Sequence, residues 1–474
     1  MREFDLICIG CGPAGEKAAT QASYFKHRVA IIEMNAQPGG AMVNTGTIPS
    51  KALRETALLC SAFNRRPLPG TTFRLDHNVS IAKFMARRHF IEQQEHDRIE
   101  SSIDRHNVEV FHGTGRVVDP HTVVVQHADG SHTSLRARFN LIGTGSSPLR
   151  PSHVPFDLPN VVDADGVLKL DRIPASMIIV GGGVIGCEYA SIFAEMNVKV
   201  TLVHTQSDVL PFIDAECRQL LVQAMQEQGV ELLLGKSVAQ VEPANDGSVR
   251  VRFESGEVIA AQSLLWAAGR SSNTNGLGLE EAGVAMGQRG LIIVNEHYQT
   301  NVPSIYAAGD VIGFPALAAT SMEQGRVAAC HMFDIGFKQS LTRLMPIGLY
   351  TIPAISYVGM SQEEARNAGH DPVIGRASYR YNVRGRMLGD ERGLLKCVFD
   401  RRTRALLGSF IVGEDATELI HIAQAVQAHG GGIDYFIGTC FNYPSLGELF
   451  KYASYSALQA IAAHDEANAA PLAA

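Results

Sequence analysis

Two glycine-rich turns are the stretches of this sequence best suited to bind a phosphorylated ligand. In the first, Gly10, Gly12 and Gly15 follow the apolar run 5–9, and the next apolar run ends in Glu33. The first glycine permits a tight turn, the second a close approach to a pyrophosphate, and the third a contact between helix and strand. The helix N-terminus supplies amides for phosphates, and a terminal acid suits a ribose 2′-hydroxyl. These residues predict a dinucleotide site.

The second turn repeats this pattern at Gly181, Gly183 and Gly186, but its second strand ends at His204 instead of an acid. A carboxylate there would repel a 2′-phosphate, whereas His204 and Gln206 can hydrogen-bond either a hydroxyl or a phosphate. We therefore predict a second dinucleotide site that accepts NADPH and does not exclude NADH. The alternative is that His204 is a solvated strand-end residue without a ligand contact.

Between these turns, the stretch from Gly39 to Lys51 has the form of a glycine turn, an apolar bend and a helix. We expect this helix to open at Pro49-Ser50, with Ser50 or Thr47 capping its amides. No cysteine lies between Cys11 and Cys60, so the bend carries no thiol, although a redox pair would suit its form.

One pair of cysteines, Cys8 and Cys11, has C-x-x-C spacing. Cys8 falls in an apolar strand and Cys11 inside a glycine turn. We predict that both are small buried residues without a redox role, because free cysteine packs as a small hydrophobe.

Several later apolar runs also end in small or acidic residues, at Thr144, Gly145, Gly269 and Asp310. Parallel α/β sheets bind ligands at the carboxyl ends of their strands. The glycines suit a backbone that passes close to a cofactor, with a simple turn as the alternative. We expect Asp310 to be buried and to accept hydrogen bonds from a polyol. A helix that starts near Ala318 would stabilise negative charge through its dipole.

The length of 474 residues predicts two to four domains. We expect an α/β fold with two Rossmann-like domains, one inserted in the other, and a C-terminal α+β association domain. In that last domain we expect strands at 350–358, 393–399 and 405–412 and helices at 416–428 and 446–462. Residues 52–107 show mixed helical periodicity without assigned chemistry. The predicted segments are 1–150 and 271–342 for the first domain, 151–270 for the insertion, and 343–474 for the last.

The composition excludes several classes of function. The net charge of −7 gives no field that would attract nucleic acid. No run is long and apolar enough to predict a membrane span, and the start lacks the form of a signal peptide. We expect a cytoplasmic protein, and we predict no metal site.

Taken in order, these motifs closely resemble those of the flavin-dependent pyridine nucleotide-disulfide oxidoreductases, over nearly the whole chain. Within that family, residues 46–54, 309–319 and 441–444 look most like the soluble, Si-specific pyridine nucleotide transhydrogenases. The resemblance implies FAD in the first domain and NAD(P)H in the inserted one. It also implies a homodimer, or a higher homo-oligomer, formed through the last domain.

The resemblance also shows where this chain departs from the family. Disulfide reductases carry cysteines where this chain has Met42 and Thr47, and Met42 departs from the transhydrogenases too. Tyr443 occupies the position of the family histidine that manages thiol protons, while Glu448 remains. Tyrosine, with an ordinary pKa of about 10, is a poor base at neutral pH. An enzyme without a disulfide to reduce fits these changes.

Two charged residues are expected to tune the flavin. The resemblance places Lys51 beside flavin N5 and Glu188 as its carboxylate partner; the alternative is two ordinary helix residues. The resulting hypothesis is FAD-dependent hydride transfer between NADPH and NAD⁺ by a ping-pong path. A second hypothesis is an NAD(P)H:acceptor reductase or oxidase acting on a quinone, a dye or oxygen. A third is a non-catalytic flavoprotein that serves as a sensor or subunit.

Overall fold

The apolar periodicity of the chain forms alternating strands and helices in the computed structural model, which describes residues 1–65, 86–170 and 172–469. Part of the helical prediction for 52–107, residues 66–85, lies outside these ranges. The helices are α1 (Pro13–Tyr24), α2 (Gly40–Asn44), α3 (Thr47–Arg65), α4 (Ala86–Arg105), α5 (Val184–Glu195), α6 (Ala215–Glu227), α7 (Ala318–Met332), α8 (Gln362–Asn367), α9 (Val383–Leu388), α10 (Ala416–Ala428), α11 (Ile433–Gly438) and α12 (Glu448–Ala469).

The strands up to the end of the second glycine-rich region are β1 (Arg2–Ile9), β2 (Val29–Glu33), β3 (Glu109–His112), β4 (Thr114–Asp119), β5 (Thr122–Gln126), β6 (His132–Ile142), β7 (Ser146–Pro148), β8 (Val161–Asp163), β9 (Ser176–Val180), β10 (Lys199–His204) and β11 (Glu231–Leu234). The later strands are β12 (Val238–Pro243), β13 (Val249–Phe253), β14 (Val258–Ala261), β15 (Ser263–Trp266), β16 (Arg270–Ser272), β17 (Ile305–Ala307), β18 (Ile347–Leu349), β19 (Ile355–Gly359), β20 (Pro372–Ser378), β21 (Leu394–Asp400) and β22 (Leu406–Val412).

The described residues form two compact units. The first unit takes those within Met1–Leu53, Asn78–Ile173 and Trp266–Leu341, and the second those within Arg54–His77, Pro174–Leu265 and Thr342–Ala474. The four segment boundaries inferred from the sequence follow a different division and stay a prediction.

The sheet of the first unit places the predicted ligand-binding residues at one edge. Its strands run in the order β3-β2-β1-β6-β5-β4, with β17 also paired to β6. Strands β3, β2, β1, β6 and β17 pair in parallel, while β4 and β5 are antiparallel. Because the carboxyl ends of parallel strands share an edge, the turns after β1, β6 and β17 and the acid that ends β2 lie along the same edge.

Helices α1 and α7 pack closely enough to need a glycine at their contact. A Cβ atom added to Gly325 of α7 would lie 2.2 Å from the carbonyl oxygen of Ala14 in α1. The small buried side chains of α1, including Ala18 and Ala22, bring this helix against the sheet core. The packing fixes the N-terminus of α1 beside the end of β1.

In the second unit, the nucleotide-type sheet has the order β11-β10-β9-β15. Strand β10 pairs in parallel with β9 and β11, and α5 joins β9 to β10. The three strands β12, β13 and β14 form a separate antiparallel sheet.

The C-terminal part of the second unit contains an antiparallel sheet in the order β18-β19-β22-β21-β20. The helices α10, α11 and α12 follow the strands, as predicted, but the short helices α8 and α9 lie between strands. The predicted strand over 350–358 is confirmed for residues 355–358, which lie in β19, and is wrong for residues 350–354, which separate β18 from β19. Pro353 has no amide for a ladder. The amides of Tyr350 and Ile352 instead donate to the side chains of Glu188 and Ser191, at 2.9 and 3.0 Å.

No helix within the described residues is long and apolar enough to cross a bilayer.

Candidate active site

The first glycine-rich turn has the geometry that its spacing predicts. Gly10 has φ of 102°, and a Cβ atom there would lie 2.5 Å from the carbonyl oxygen of Gly143. A Cβ atom on Gly15 would lie 2.0 Å from the carbonyl oxygen of Gly10. A Cβ atom on Gly12, the N-cap of α1, would lie 3.9 Å from the nearest atoms. The turn is therefore closed at Gly10 and Gly15 and open at Gly12, where a ligand can approach the backbone.

Glu33 is buried at the end of β2 and organises the neighbouring loop. Its Oε2 atom accepts a hydrogen bond from the amide of Cys11 at 2.7 Å. Its Oε1 atom accepts bonds from the amide and the side-chain nitrogen of Asn35, at 2.8 and 2.9 Å. The sequence predicted a contact with a ribose hydroxyl but not these bonds to the protein itself.

These elements line a cavity of about 880 Å³ in the first unit, within the size range of ligand pockets. Its walls include most of the first-unit residues predicted to bind a cofactor, together with the bend: Gly10, Gly12, Glu33, Met42, Thr47, Thr144, Gly145, Asp310 and Ala318. Gly15, Lys51 and Gly269 are not in the lining; Gly15 instead supports the turn.

The bend differs from its prediction in two respects. Its apolar part forms the short helix α2, and helix α3 begins at Thr47, before Pro49-Ser50. The expected Ser50 cap is wrong, because the Ser50 hydroxyl donates to the carbonyl oxygen of Thr47 at 3.3 Å. Pro49 falls in the first turn, where its missing amide costs no helical hydrogen bond. Met42 is 9% exposed, and Met42 and Thr47 both line the cavity.

Lys51 lies in the first turns of α3 and is partly buried. Its Nζ atom donates to the Ser50 hydroxyl at 3.3 Å. Lys51 belongs to the first compact unit and Glu188 to the second, so their ion pair stays a prediction.

Glu188 is 4% exposed, in helix α5. Its Oε1 atom accepts the Tyr350 amide at 2.9 Å, and one helical turn later the Ser191 hydroxyl accepts the Ile352 amide at 3.0 Å. Glu188 therefore also holds the backbone of the 350–352 segment, which the sequence motif did not indicate.

Thr144 and Gly145, predicted to lie beside a cofactor, are held by a residue that sequence analysis missed. The Thr144 hydroxyl donates to the carbonyl oxygen of Asn273 at 2.8 Å. The Asn273 side chain donates to the Thr144 carbonyl at 3.0 Å, and the Asn273 amide donates to the Gly145 carbonyl at the same distance. Asn273 also lines the cavity.

The expected burial of Asp310 is wrong, because its side chain is only partly buried, and its carboxylate already has a partner in the protein; the contact with a polyol stays a prediction. Its Oδ2 atom accepts the Ser146 hydroxyl at 2.9 Å. Ser146 is in turn held by Arg270, whose guanidinium donates to its hydroxyl at 2.8 Å and its carbonyl at 2.6 Å. Gly269 has φ of 123°, and its carbonyl oxygen accepts the Leu149 amide at 3.0 Å.

The predicted helix near Ala318 is α7, and Ala318 is its first residue. The N-cap, Leu317, provides no side-chain hydrogen bond. The first turn of α7 therefore begins without a side-chain cap, and Ala318 and Ser321 of this helix line the cavity. The buried side chain of Gln324 accepts the Gly309 amide at 2.8 Å, which fixes the turn before Asp310.

A second acid, Asp165, also lines the cavity and was missed by sequence analysis. Burial, the largest influence, raises the pKa of the Asp165 carboxyl, while Arg270 and a hydrogen bond from Thr45 oppose that shift. Asp163 fixes this turn by accepting the amides of Asp165 and Gly166 at 3.0 and 2.8 Å. No glycine or strand-end motif marks Asp165, so its place depends on the tertiary fold.

The second glycine-rich turn, in the second unit, repeats the first in its geometry. Gly181 has φ of 120°, and a Cβ atom on Gly186 would lie 1.7 Å from the Gly181 carbonyl oxygen. Gly183 is the N-cap of α5, and a Cβ atom there would meet nothing within 4 Å. The open position again lies at the helix N-terminus.

His204 ends β10 beside this turn. A Cβ atom on Gly182 would lie 2.7 Å from Cδ2 and 2.8 Å from Cγ of the imidazole, so the ring covers the glycine backbone. Burial, the largest influence, lowers the pKa of His204, and a hydrogen bond with Gln206 opposes that shift. His204 is therefore packed against the turn.

Cys8 and Cys11 are buried free thiols, as predicted. Burial raises the pKa of both, and burial together with the charge of Glu33 raises that of Cys11 to about 12. Since the thiolate is the reactive form, neither is suited to redox chemistry.

The chain is similar to several curated proteins over nearly its whole length. It is 42% identical over 455 residues to the soluble pyridine nucleotide transhydrogenase of Mycobacterium bovis, covering 96% of this chain and 97% of that protein. It is 39% identical over 462 residues to the soluble pyridine nucleotide transhydrogenase of Colwellia psychrerythraea, covering 96% and 98%.

Two solved structures share the fold. LpdA from Mycobacterium tuberculosis superposes with a TM-score of 0.88 at 28% identity, over 96% of this chain and 99% of that one. The HOCl-induced flavoprotein disulfide reductase RclA from Escherichia coli superposes with a TM-score of 0.85 at 27% identity, over 95% and 99%.

Family models account for most of the sequence. The pyridine nucleotide-disulphide oxidoreductase model matches residues 4–325, and the dimerisation domain model of the same family matches residues 345–454. These matches and relatives confirm the predicted fold class, the oxidoreductase class and the use of FAD with NAD(P)H. The chain belongs to the pyridine nucleotide-disulphide oxidoreductase family.

Proposed function

We propose that this protein catalyses FAD-dependent hydride transfer between NADPH and NAD⁺. The observation that carries this proposal is the bend: Met42 and Thr47 line the cavity wall, at the positions where the family resemblance places the thiols of disulfide reductases. Relatives at 39–42% identity named soluble pyridine nucleotide transhydrogenase support the same function.

The cavity of the first unit fits FAD. A Cβ atom on Gly40 would lie 2.9 Å from the Cα atom of Gly12, so the backbone there forms a narrow cradle that side chains would fill. The N-terminus of α1 beside Gly12 supplies amides for the pyrophosphate. Glu33 and Asp310 would accept hydroxyls of the ribose and the ribitol chain, because carboxylate oxygens can accept more than one hydrogen bond.

When bound, FAD supplies a carrier that accepts and returns two electrons. The contribution of the protein is to position the reactants and fix the charges around them. The uncapped first turn of α7 at Ala318 presents amides and a partial positive charge to an anion. Lys51 adds a full positive charge, and we assign Glu188 as its counter-charge, because a lysine that is partly removed from water is stabilised by an opposite charge.

We further propose that NADPH and NAD⁺ use the second unit in turn. Gly181, Gly183 and Gly186 shape the turn, and the open Gly183 at the N-terminus of α5 receives the pyrophosphate. His204 lies where the strand ends and contacts the adenosine ribose. A single site that accepts both nucleotides explains the absence of an acid at this strand end.

The assembly and location belong to the same proposal. Residues 343–474 would form the contact of a homodimer, in agreement with the dimerisation domain model over 345–454. The FAD-binding segments would be 1–150 and 271–342, with 151–270 as the NAD(P)-binding insertion. We expect the enzyme to act in the cytoplasm.

Two rates measured on the same sample test the activity. The FAD-loaded enzyme is given NADPH with thio-NAD⁺, and reduction of the thio-analogue is compared with oxygen uptake in its absence. We expect rapid hydride transfer and slow oxygen uptake. Flavin bleaching by NADPH without transfer to NAD⁺ or thio-NAD⁺ would overturn the proposal and favour the acceptor reductase.

A further inference from the structure

The strand end at His204 carries a titratable group where the first glycine unit carries the acid Glu33. Its ring lies against the glycine turn, because a Cβ atom on Gly182 would lie 2.8 Å from Cγ and 2.7 Å from Cδ2 of the imidazole. The Gly181 amide donates to the Val203 carbonyl at 2.8 Å, which joins the strand end to the turn. The imidazole therefore lies over the backbone of the turn that would receive the nucleotide.

The neighbouring charges in the described region already have partners. Lys236, whose amide donates to the His204 carbonyl at 2.9 Å, pairs through Nζ with Glu257 at 2.5 Å. Arg218 pairs with Asp208 at 2.7 Å.

The remaining groups around the ring are uncharged. Gln206 lies two residues after His204 and hydrogen-bonds to it. On the side of the glycine turn, Cys187 is a buried thiol that contacts the Gly182 carbonyl at 3.6 Å, and burial raises its pKa. Strand β11 presents Leu234 opposite His204 in the sheet. Protonation of the His204 imidazole would therefore add a positive charge that none of these neighbouring groups supplies.

We propose that His204 distinguishes the two nucleotides through its protonation state: the neutral ring accommodates a 2′-hydroxyl, and the protonated ring adds a charged hydrogen bond to a 2′-phosphate. This inference rests on the proposed use of the second unit by both nucleotides. Hydrogen bonds to charged groups are the stronger class. The preference for the phosphorylated nucleotide therefore rises as the pH falls, and phosphate binding takes up a proton.

The direction of this pH dependence follows from the linkage between protonation of His204 and binding of the phosphate. Burial lowers the pKa of His204 in the ligand-free protein, so the ring is mostly neutral at pH 7. A bound phosphate favours the charged ring and raises its pKa. The affinity gain is absent at high pH and grows as the pH falls through the pKa of His204 in the complex.

The test uses 2′,5′-ADP and 5′-AMP, which lack the nicotinamide and therefore measure binding apart from hydride transfer. Their dissociation constants for the FAD-loaded enzyme are measured by calorimetry from pH 5.5 to 8.5, in buffers of different ionisation enthalpy. We expect the ratio of affinities, 2′,5′-ADP over 5′-AMP, to rise roughly tenfold from the alkaline to the acidic end. We also expect proton uptake that accompanies 2′,5′-ADP binding alone.

His204→Gln is the matched variant, because it keeps hydrogen bonding without a titratable ring. The 2′-phosphate itself titrates near pH 6, and that contribution remains in the variant, so the difference between the two proteins isolates His204. We expect the variant to lose the rise in the ratio while it still binds 5′-AMP, which reports an intact site.

The same pH dependence in both proteins would overturn the proposal. If the variant fails to fold, the absence of proton uptake by the wild type would overturn it instead. Loss of hydride transfer with these binding results intact would count against the proposed function alone.

Discussion

The carboxylate of Glu33 accepts the amide of Cys11 at 2.7 Å, which ties the end of β2 to the glycine-rich turn after β1. The same side chain holds Asn35 through its other oxygen. An acid that sequence analysis assigned to the ligand is therefore also part of the structure of the turn. Ligand binding and the shape of the turn depend on one residue.

Replacing Glu33 with Gln should weaken FAD binding and lower stability together. The variant loses a charge-assisted acceptor for the buried amide of Cys11, which costs about 1–3 kcal/mol. FAD affinity is measured by titration of the apoprotein, and stability by denaturant unfolding of the apoprotein. Glu3→Gln, on the exposed start of β1, is the control and should change neither quantity. Unchanged unfolding of Glu33→Gln would show that the bond to Cys11 is dispensable.

Substitution by alanine should have different effects at two glycines of the second turn: it should lower stability at Gly186 and weaken nucleotide binding at Gly183. Gly186→Ala places a methyl group 1.7 Å from the Gly181 carbonyl oxygen, so we expect a loss of stability of about 1–3 kcal/mol or more. Gly183→Ala meets no atom within 4 Å, and its extended backbone, φ −83° and ψ −172°, suits alanine. This second variant should unfold nearly as the wild type does but bind NADP⁺ and NAD⁺ more weakly. Normal nucleotide affinity in Gly183→Ala would place the pyrophosphate elsewhere.

Removing the charge of Lys51 should slow flavin reduction by NADPH. A fixed positive charge beside the reacting groups stabilises charge that develops in the transition state, so we expect Lys51→Ala to be slower by roughly tenfold or more. Stopped-flow absorbance of the flavin gives the rate, and Lys51→Arg, which keeps the charge, should retain more of it. If Lys51→Ala reduces the flavin at the wild-type rate, Lys51 has no part in the mechanism.

The stability of the C-terminal sheet should depend on the ionisation of Asp400. Burial raises the pKa of its carboxyl, but hydrogen bonds from Thr403, His370 and Arg402 outweigh burial and lower that pKa to about 2. Because the folded pKa lies below the unfolded value of about 3.9, the ionised group stabilises the fold above pH 4. This contribution, about 2 kcal/mol, is lost as the pH falls from about 4 to 2.

The substitution Asp400→Asn tests this dependence through unfolding curves measured from pH 2 to 7. We expect the variant to be less stable than the wild type at pH 7 and the difference to disappear near pH 2. Asp371→Asn provides a control, because that side chain is 61% exposed and pairs with Arg401 on the surface. A difference for Asp400→Asn that persists at pH 2 would assign its effect to packing and not to charge.

The sequence by itself determined the parts of this protein whose causes are local. Gly10, Gly15, Gly181 and Gly186 were predictable because a tight turn before a helix excludes a Cβ atom at those spacings, as the 2.0 and 1.7 Å approaches demonstrate. The buried parallel strands were predictable from continuous apolar runs. The absence of thiols at the bend was visible in the residue types alone.

The tertiary structure decided what depends on residues distant in the chain. Ser146 reaches Asp310 across 164 positions, and Tyr350 reaches Glu188 across 162. Asp165 and Asn273 join the cavity wall without any local motif. The segment 350–354 has a strand-like composition, yet two of its amides bond to side chains of α5. Local propensity gives each segment its preference, but buried polar groups take the partners that the whole fold brings within hydrogen-bonding distance.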